Sequence, residues 1–145
     1  MATYHATVTS RRPAGETFDY LATFSNAADW DPGVLTAEQL DPGPVGVGTR
    51  FRLVVPFLGR RLPLVYAVTT MMPGRSVTLV ASSGVLRATD RIVVTARGPH
   101  AVVNYDAEVV LHGPLRALDA VLRPGFRAVA RRAARGLADA LAAAA

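Results

Sequence analysis

Few side chains in this sequence could do chemistry, and Asp90 is the first to need an account. Strict alternation along residues 86–96 puts it on the same face as Leu86, Ala88, Ile92 and Val94. A carboxylate on an apolar face is costly unless it is paired or protonated. In one resolution a bulge turns Asp90 outward, or a nearby arginine such as Arg91 or Arg52 pairs with it. In the other, Asp90 faces an internal pocket as a hydrogen-bond acceptor for a ligand, or as a general base with a raised pKa. Tyr105 shares an inward face with Val103, Ala107, Val109 and Leu111, and Tyr66 is the third inward polar suspect. Asp106 and Glu108 fall on the opposite face with Asn104 and His112, which reads as a solvated face rather than a catalytic pair.

Other chemistries find little support. The chain has no cysteine, so thiolate nucleophiles, disulfides and thiolate metal sites are absent. His5, His100 and His112 lie far apart and lack the spacing of a zinc site, so no metal is expected. There is no G-x-S-x-G elbow, and the glycines from Gly43 to Gly48 lack the Lys-Ser/Thr ending that grips phosphate and magnesium. No cofactor is expected. All 16 basic residues are arginine, and they are scattered and interleaved with acids. The net charge of +5 therefore speaks first to solubility, and no specific nucleic-acid partner is expected.

These side chains need elements to position them. Residues 3–9 alternate, with Tyr4, Ala6 and Val8 on one face, which predicts a first strand. Pro13 suits the first position of a helix carrying Phe18, Leu21 and Ala22 as far as Phe24, and Ser25 suits the cap of a second short helix ending near Trp30. Six more strands follow between turn signals: Val34 to Leu40, Thr49 to Phe57, Leu62 to Met71, Val77 to Ala81, Leu86 to Ala96 and Ala101 to His112. Such close spacing predicts an antiparallel meander. After Pro114 the period becomes helical, with Leu115, Leu118, Leu122, Phe126, Val129, Ala133, Leu137 and Leu141 on one face. Arg123, Arg127, Arg131 and Arg135 form a row on another, and Pro124-Gly125 should kink or interrupt the helix. The tail from Ala142 to Ala145 should fray.

At 145 residues one α+β domain covering residues 1–145 is expected. No apolar run approaches the roughly 18 to 20 residues of a membrane span. The start MATYHATVTSRR lacks the pattern of a secretory leader, so the expected location is cytoplasmic.

The order of elements and their landmarks carry a resemblance. Pro13 with Phe18 and Leu21, Asn26 to Trp30 leading into Pro32-Gly33-Val34, the glycine-rich Gly43 to Phe51, and Gly113-Pro114-Leu115 opening the last helix are its marks. On these the chain resembles the polyketide cyclase/dehydrase and lipid-transport family of the START-like (Bet v 1-like, SRPBCC) superfamily. The resemblance implies a helix-grip fold, in which a curved sheet of about seven strands wraps around a long C-terminal helix and encloses a cavity. Trp30, Phe51, Leu53, Val55, Phe57, Tyr66 and Phe126 are the large groups expected around it, with Asp90 and Tyr105 as polar tips.

Three functions follow as expectations. The leading one is binding or carriage of a small hydrophobic ligand, such as a lipid, quinone or polyketide-like molecule. The second is polyketide cyclisation or dehydration, for which Asp90, Tyr105 and Tyr66 are the weak catalytic candidates. The third is an interaction module that presents the arginine row of the last helix to an acidic protein, an anionic membrane or nucleic acid. The oligomeric state is open.

Overall fold

The computed structural model describes residues 2–142. Of the alanine tail, Ala142 is the last helical residue, and 143–145 lie outside the described residues.

A first strand, β1 (Ala2–Ser10), is followed by helix α1 (Ala14–Ala22), a 3-10 turn at Phe24–Asn26 and the one-turn helix α2 (Ala27–Trp30). Six strands follow: β2 (Thr36–Gln39), β3 (Arg50–Phe57), β4 (Arg60–Met72), β5 (Ser76–Ser82), β6 (Leu86–Arg97) and β7 (His100–Leu111). A 3-10 segment at Gly113–Leu118 then leads into the long helix α3 (Asp119–Ala142). The strands form one antiparallel sheet in the order β1-β7-β6-β5-β4-β3-β2. The meander from β2 to β7 is as predicted from the short turns. β1 completes the sheet beside β7, so the helices between β1 and β2 carry the chain from one edge to the other.

Turn chemistry sets the hairpins. Leu58 (φ 50°) and Gly59 (φ 77°) are both left-handed between β3 and β4, the geometry of a two-residue hairpin turn whose twist matches the strands. The register slips between Val68 and Thr70 where β4 meets β5; Val68 pairs with Leu79 and Leu79 with Asp90, so this bulge lies across β5 from Asp90 and leaves β6 itself regular.

Helix α1 buries Thr17, Phe18, Leu21 and Ala22. The Thr17 hydroxyl lies 2.7 Å from that of fully buried Ser10, which ties the end of β1 to the helix. At its C-terminal end α3 buries Leu137 and Leu141 against the sheet, and the carbonyl of Leu141 accepts the Arg11 N–H at 2.9 Å. A Cβ on Gly136 would stand 2.0 Å from the Trp30 carbonyl oxygen, so only glycine lets α3 approach the end of α2 this closely.

Several expectations are corrected. Ser25 caps nothing: it sits inside the 3-10 turn, and α2 begins after Asn26 with no side-chain cap. Pro13 lies one residue before α1 rather than at its first position, and β2 is shorter than residues 34–40. Pro124 does not interrupt α3, which runs through it; the irregular segment is the 3-10 stretch before Asp119. The apolar ridge of α3 is only partly buried. Leu122, Phe126 and Ala133 are half-buried and Val129 is exposed, because the N-terminal half of the helix roofs a cavity instead of packing on the sheet.

Candidate functional site

Between the concave sheet face and α3 lies a cavity of about 360 Å³, within the usual range for small-molecule sites. Its floor is built by alternation, since every second residue of a strand points to the same face. β1 contributes Tyr4 and Ala6, β4 contributes Leu64 and Tyr66, β6 contributes Leu86, Ala88 and Asp90, and β7 contributes Tyr105, Ala107 and Val109. Trp30 from α2, Val55, Phe57 and Leu58 from the β3–β4 hairpin, and Phe126, Val129 and Leu137 from α3 complete the wall.

Seven of the nine expected site residues meet here: Trp30, Val55, Phe57, Tyr66, Asp90, Tyr105 and Phe126. Phe51 and Leu53 do not. They share the inward face of β3 with Val55 and Phe57, but the 3-10 turn covers that end of the strand. Phe24 packs edge-on to Phe51 with ring centroids 6.2 Å apart, leaving Phe51 and Leu53 fully enclosed in the core.

Asp90 resolves its inward position by neither of the simpler routes. No bulge turns it outward, since β6 and β7 keep continuous register from Leu86 to Arg97. No arginine pairs with it: Arg91 is exposed, and Arg52 lies 3.8 Å from Glu38. Instead the Tyr105 hydroxyl donates a hydrogen bond to its carboxylate. Asp90 is half-buried and lines the cavity. Burial lifts its pKa to about 7, the Tyr105 hydrogen bond opposes that rise, and the charge of Asp31 adds to it. Burial, with Asp90 beside them, also raises both Tyr66 and Tyr105 well above the ordinary phenol range. The Trp30 and Tyr105 rings meet edge to face at 5.7 Å, which braces the tyrosine from the side of α2.

Asp31 is a site residue that sequence reasoning missed, because Asp31-Pro32-Gly33 reads as an ordinary helix ending. Its Oδ1 does accept the Gly33 N–H at 2.8 Å, as a turn residue would. The same side chain lines the cavity, and burial raises its pKa. Its position directly after an expected cavity tryptophan was the available signal. Leu58 was also missed, and nothing in a hairpin tip announced it.

The histidines lie elsewhere. His5 sits on the outer sheet face 2.6 Å from Asp106, His100 contacts the Arg11 carbonyl, and His112 contacts that of Ser83. Among the described residues no three potential metal ligands come together. Nor is any described helix long and apolar enough to cross a membrane.

An apolar cavity between a curved seven-stranded sheet and a C-terminal helix is the arrangement that the sequence resemblance implied. The family model for polyketide cyclase/dehydrase and lipid transport matches residues 1–142. The chain belongs to this family. Among solved structures, a START superfamily protein from Mycobacterium smegmatis superimposes with a TM-score of 0.77 at 14% identity, over 97% of each chain. The Zhui aromatase/cyclase from a Streptomyces species gives 0.73 at 17% identity, over 96% of this chain and 90% of the other. The di-domain ARO/CYC protein BexL gives 0.67 at 17% identity, and the match spans 50% of its length. At these identities the likeness is one of fold. None of the curated proteins matches the chain in sequence.

Proposed function

We propose that this protein binds and carries a small hydrophobic molecule, with its apolar body under α3 and its polar end at Asp90, Tyr105 and Tyr66. The observation that carries this reading is the cavity itself, walled by aliphatic and aromatic side chains with polar groups on β4, β6, β7, just after α2 and at the start of α3. An apolar pocket with a few convergent polar groups and a shifted carboxylate is the usual form of a ligand site. The family match and the START-like neighbours support the same reading. The test is native mass spectrometry of the purified protein followed by organic extraction. A stoichiometric hydrophobic molecule is the expected result, and a protein that neither retains nor takes up any such molecule would overturn the reading.

One observation favours a second reading, in which the bound molecule is a polyketide precursor that is cyclised or dehydrated. A carboxyl group with a pKa of about 7 is suited to take a proton from an activated carbon and return it to an oxygen. Asp90 would be the base and Tyr105 the group that positions it. Aromatase/cyclases among the structural neighbours make this chemistry worth assaying. Asp90→Asn should then abolish turnover while leaving affinity within about threefold. Absence of turnover on a panel of poly-β-ketone mimics would leave carriage as the function.

A further inference from the structure

We infer that the molecule this cavity takes up is a hydrophobic amine, whose ammonium group seats among Asp90, Asp31 and Tyr66. The inference rests on the cavity being a ligand site and names the chemistry of what enters it.

Among the described residues, the polar end of the cavity at Asp90, Asp31, Tyr66 and Tyr105 offers hydrogen-bond acceptors and no cation. Tyr105 spends its proton on Asp90, leaving that carboxylate a second oxygen and the phenol its lone pairs. Asp31 engages one oxygen with the Gly33 N–H and keeps the other. Tyr66 is only 7% exposed and lines the cavity, yet its hydroxyl has no hydrogen-bond partner among the described residues. That hydroxyl opens to the cavity, where a ligand polar group can hydrogen-bond it. An ammonium group carries three N–H donors and no acceptor, which suits this set. The rings of Trp30, Tyr66 and Tyr105 add faces that attract a cation.

Charge selects in the same direction. The chain as a whole is positive, at +5, yet among the described residues the cavity is lined by Asp31, Asp90 and Asp119 against one cation, Arg123. Arg123 is bound to Asp119 at 2.6 Å. A fatty-acid carboxylate or a phosphate would meet two carboxyl groups on the cavity wall and, among the described residues, no guanidinium free to neutralise it. A neutral alcohol would be accepted without this electrostatic gain.

The pH dependence follows from the groups that face the pocket. Tyr66 and Tyr105 stay neutral, and Asp31, also shifted upward by burial, changes in the same sense as Asp90. Affinity for an ammonium should therefore rise as the carboxyl groups lose their protons.

Decylamine, decanol and decanoate, titrated calorimetrically at pH 6 and pH 8, test the inference. Decylamine should bind about tenfold tighter than decanoate at pH 8 and gain about tenfold between the two pH values, while decanol changes little. Asp90→Asn should remove most of the amine's advantage and its pH dependence. Tyr66→Phe, which keeps the ring, should weaken the amine about threefold, and thermal melts establish that each variant is folded. Should Asp90→Asn fail to fold, the wild-type pH profile and Tyr66→Phe decide the matter. Decanol or decanoate binding as tightly as decylamine, or a flat pH profile for the amine, would overturn the inference and leave the cavity reading standing. Failure of all three to bind would overturn both.

Discussion

Asp90 and Tyr105 are diagonal neighbours across the β6–β7 ladder. Asp90 pairs in register with Ala107, and Tyr105 stands two residues away on the same inward face, close enough for its hydroxyl to bond the carboxylate. The sheet thereby holds a proton-binding group inside an apolar cavity, with consequences for stability as well as for binding.

Asp90 titrates near pH 7 in the folded protein and near 3.8 in the open chain. Between those values the folded state holds a proton that the unfolded state has released. The group therefore contributes stability fully below about pH 4, and that contribution is lost as pH rises through 7, by on the order of a few kcal/mol. Urea unfolding of wild type and Asp90→Asn at pH 5 and pH 8 checks this. The variant should gain on wild type by more than about 1 kcal/mol at the higher pH, and parallel pH profiles would refute the buried titration.

Gly136 faces the Trp30 carbonyl at a distance no Cβ can occupy. Gly136→Ala must push α3 from α2, and should cost about 2 kcal/mol despite alanine's better helix propensity. A neutral or raised melting temperature would mean that the helix does not sit this close.

Phe51 and Phe126 separate core from cavity. Phe51 is fully buried against Phe24, so Phe51→Ala should cost about 3 to 5 kcal/mol. Phe126 is half-buried in the roof, and Phe126→Ala should cost about 1 kcal/mol in stability while weakening binding of a hydrophobic ligand several-fold. Comparison of unfolding free energies with affinities for both variants checks this, and a reversed order would mean that the cavity wall is misplaced.

The buried pair Ser10 and Thr17 predicts a smaller effect. Thr17→Val keeps the shape but leaves the Ser10 oxygen with the Arg12 N–H alone, at 3.1 Å. A loss of about 1 to 2 kcal/mol in chemical unfolding is expected, and no loss would show that the hydroxyl pair does not hold β1 to α1.

Local periodicity makes much of this legible in the sequence. Alternation placed Asp90 and Tyr105 inward, and turn residues predicted the meander. Their hydrogen bond was not legible, because it depends on the β6–β7 register, which alternation within one strand does not set. Phe51 and Leu53 share a strand face with Val55 and Phe57, and only the tertiary position of the Phe24 turn divides core from cavity. Asp31 was hidden by its turn chemistry. In α3 the apolar ridge continues from Leu115 to Leu141 without marking where the helix leaves the sheet.

The most direct test of the ligand cavity is an amide and indole NMR titration with 1-naphthol, a small aromatic body with one hydroxyl. Trp30 is the chain's single tryptophan and lines the cavity, so its indole N–H is an unambiguous reporter. Saturable shifts at Trp30 and at positions 88–90 and 105–109 are the predicted result. Shifts confined to the exposed arginine row of α3, or no saturable shift at any position, would contradict an internal ligand site.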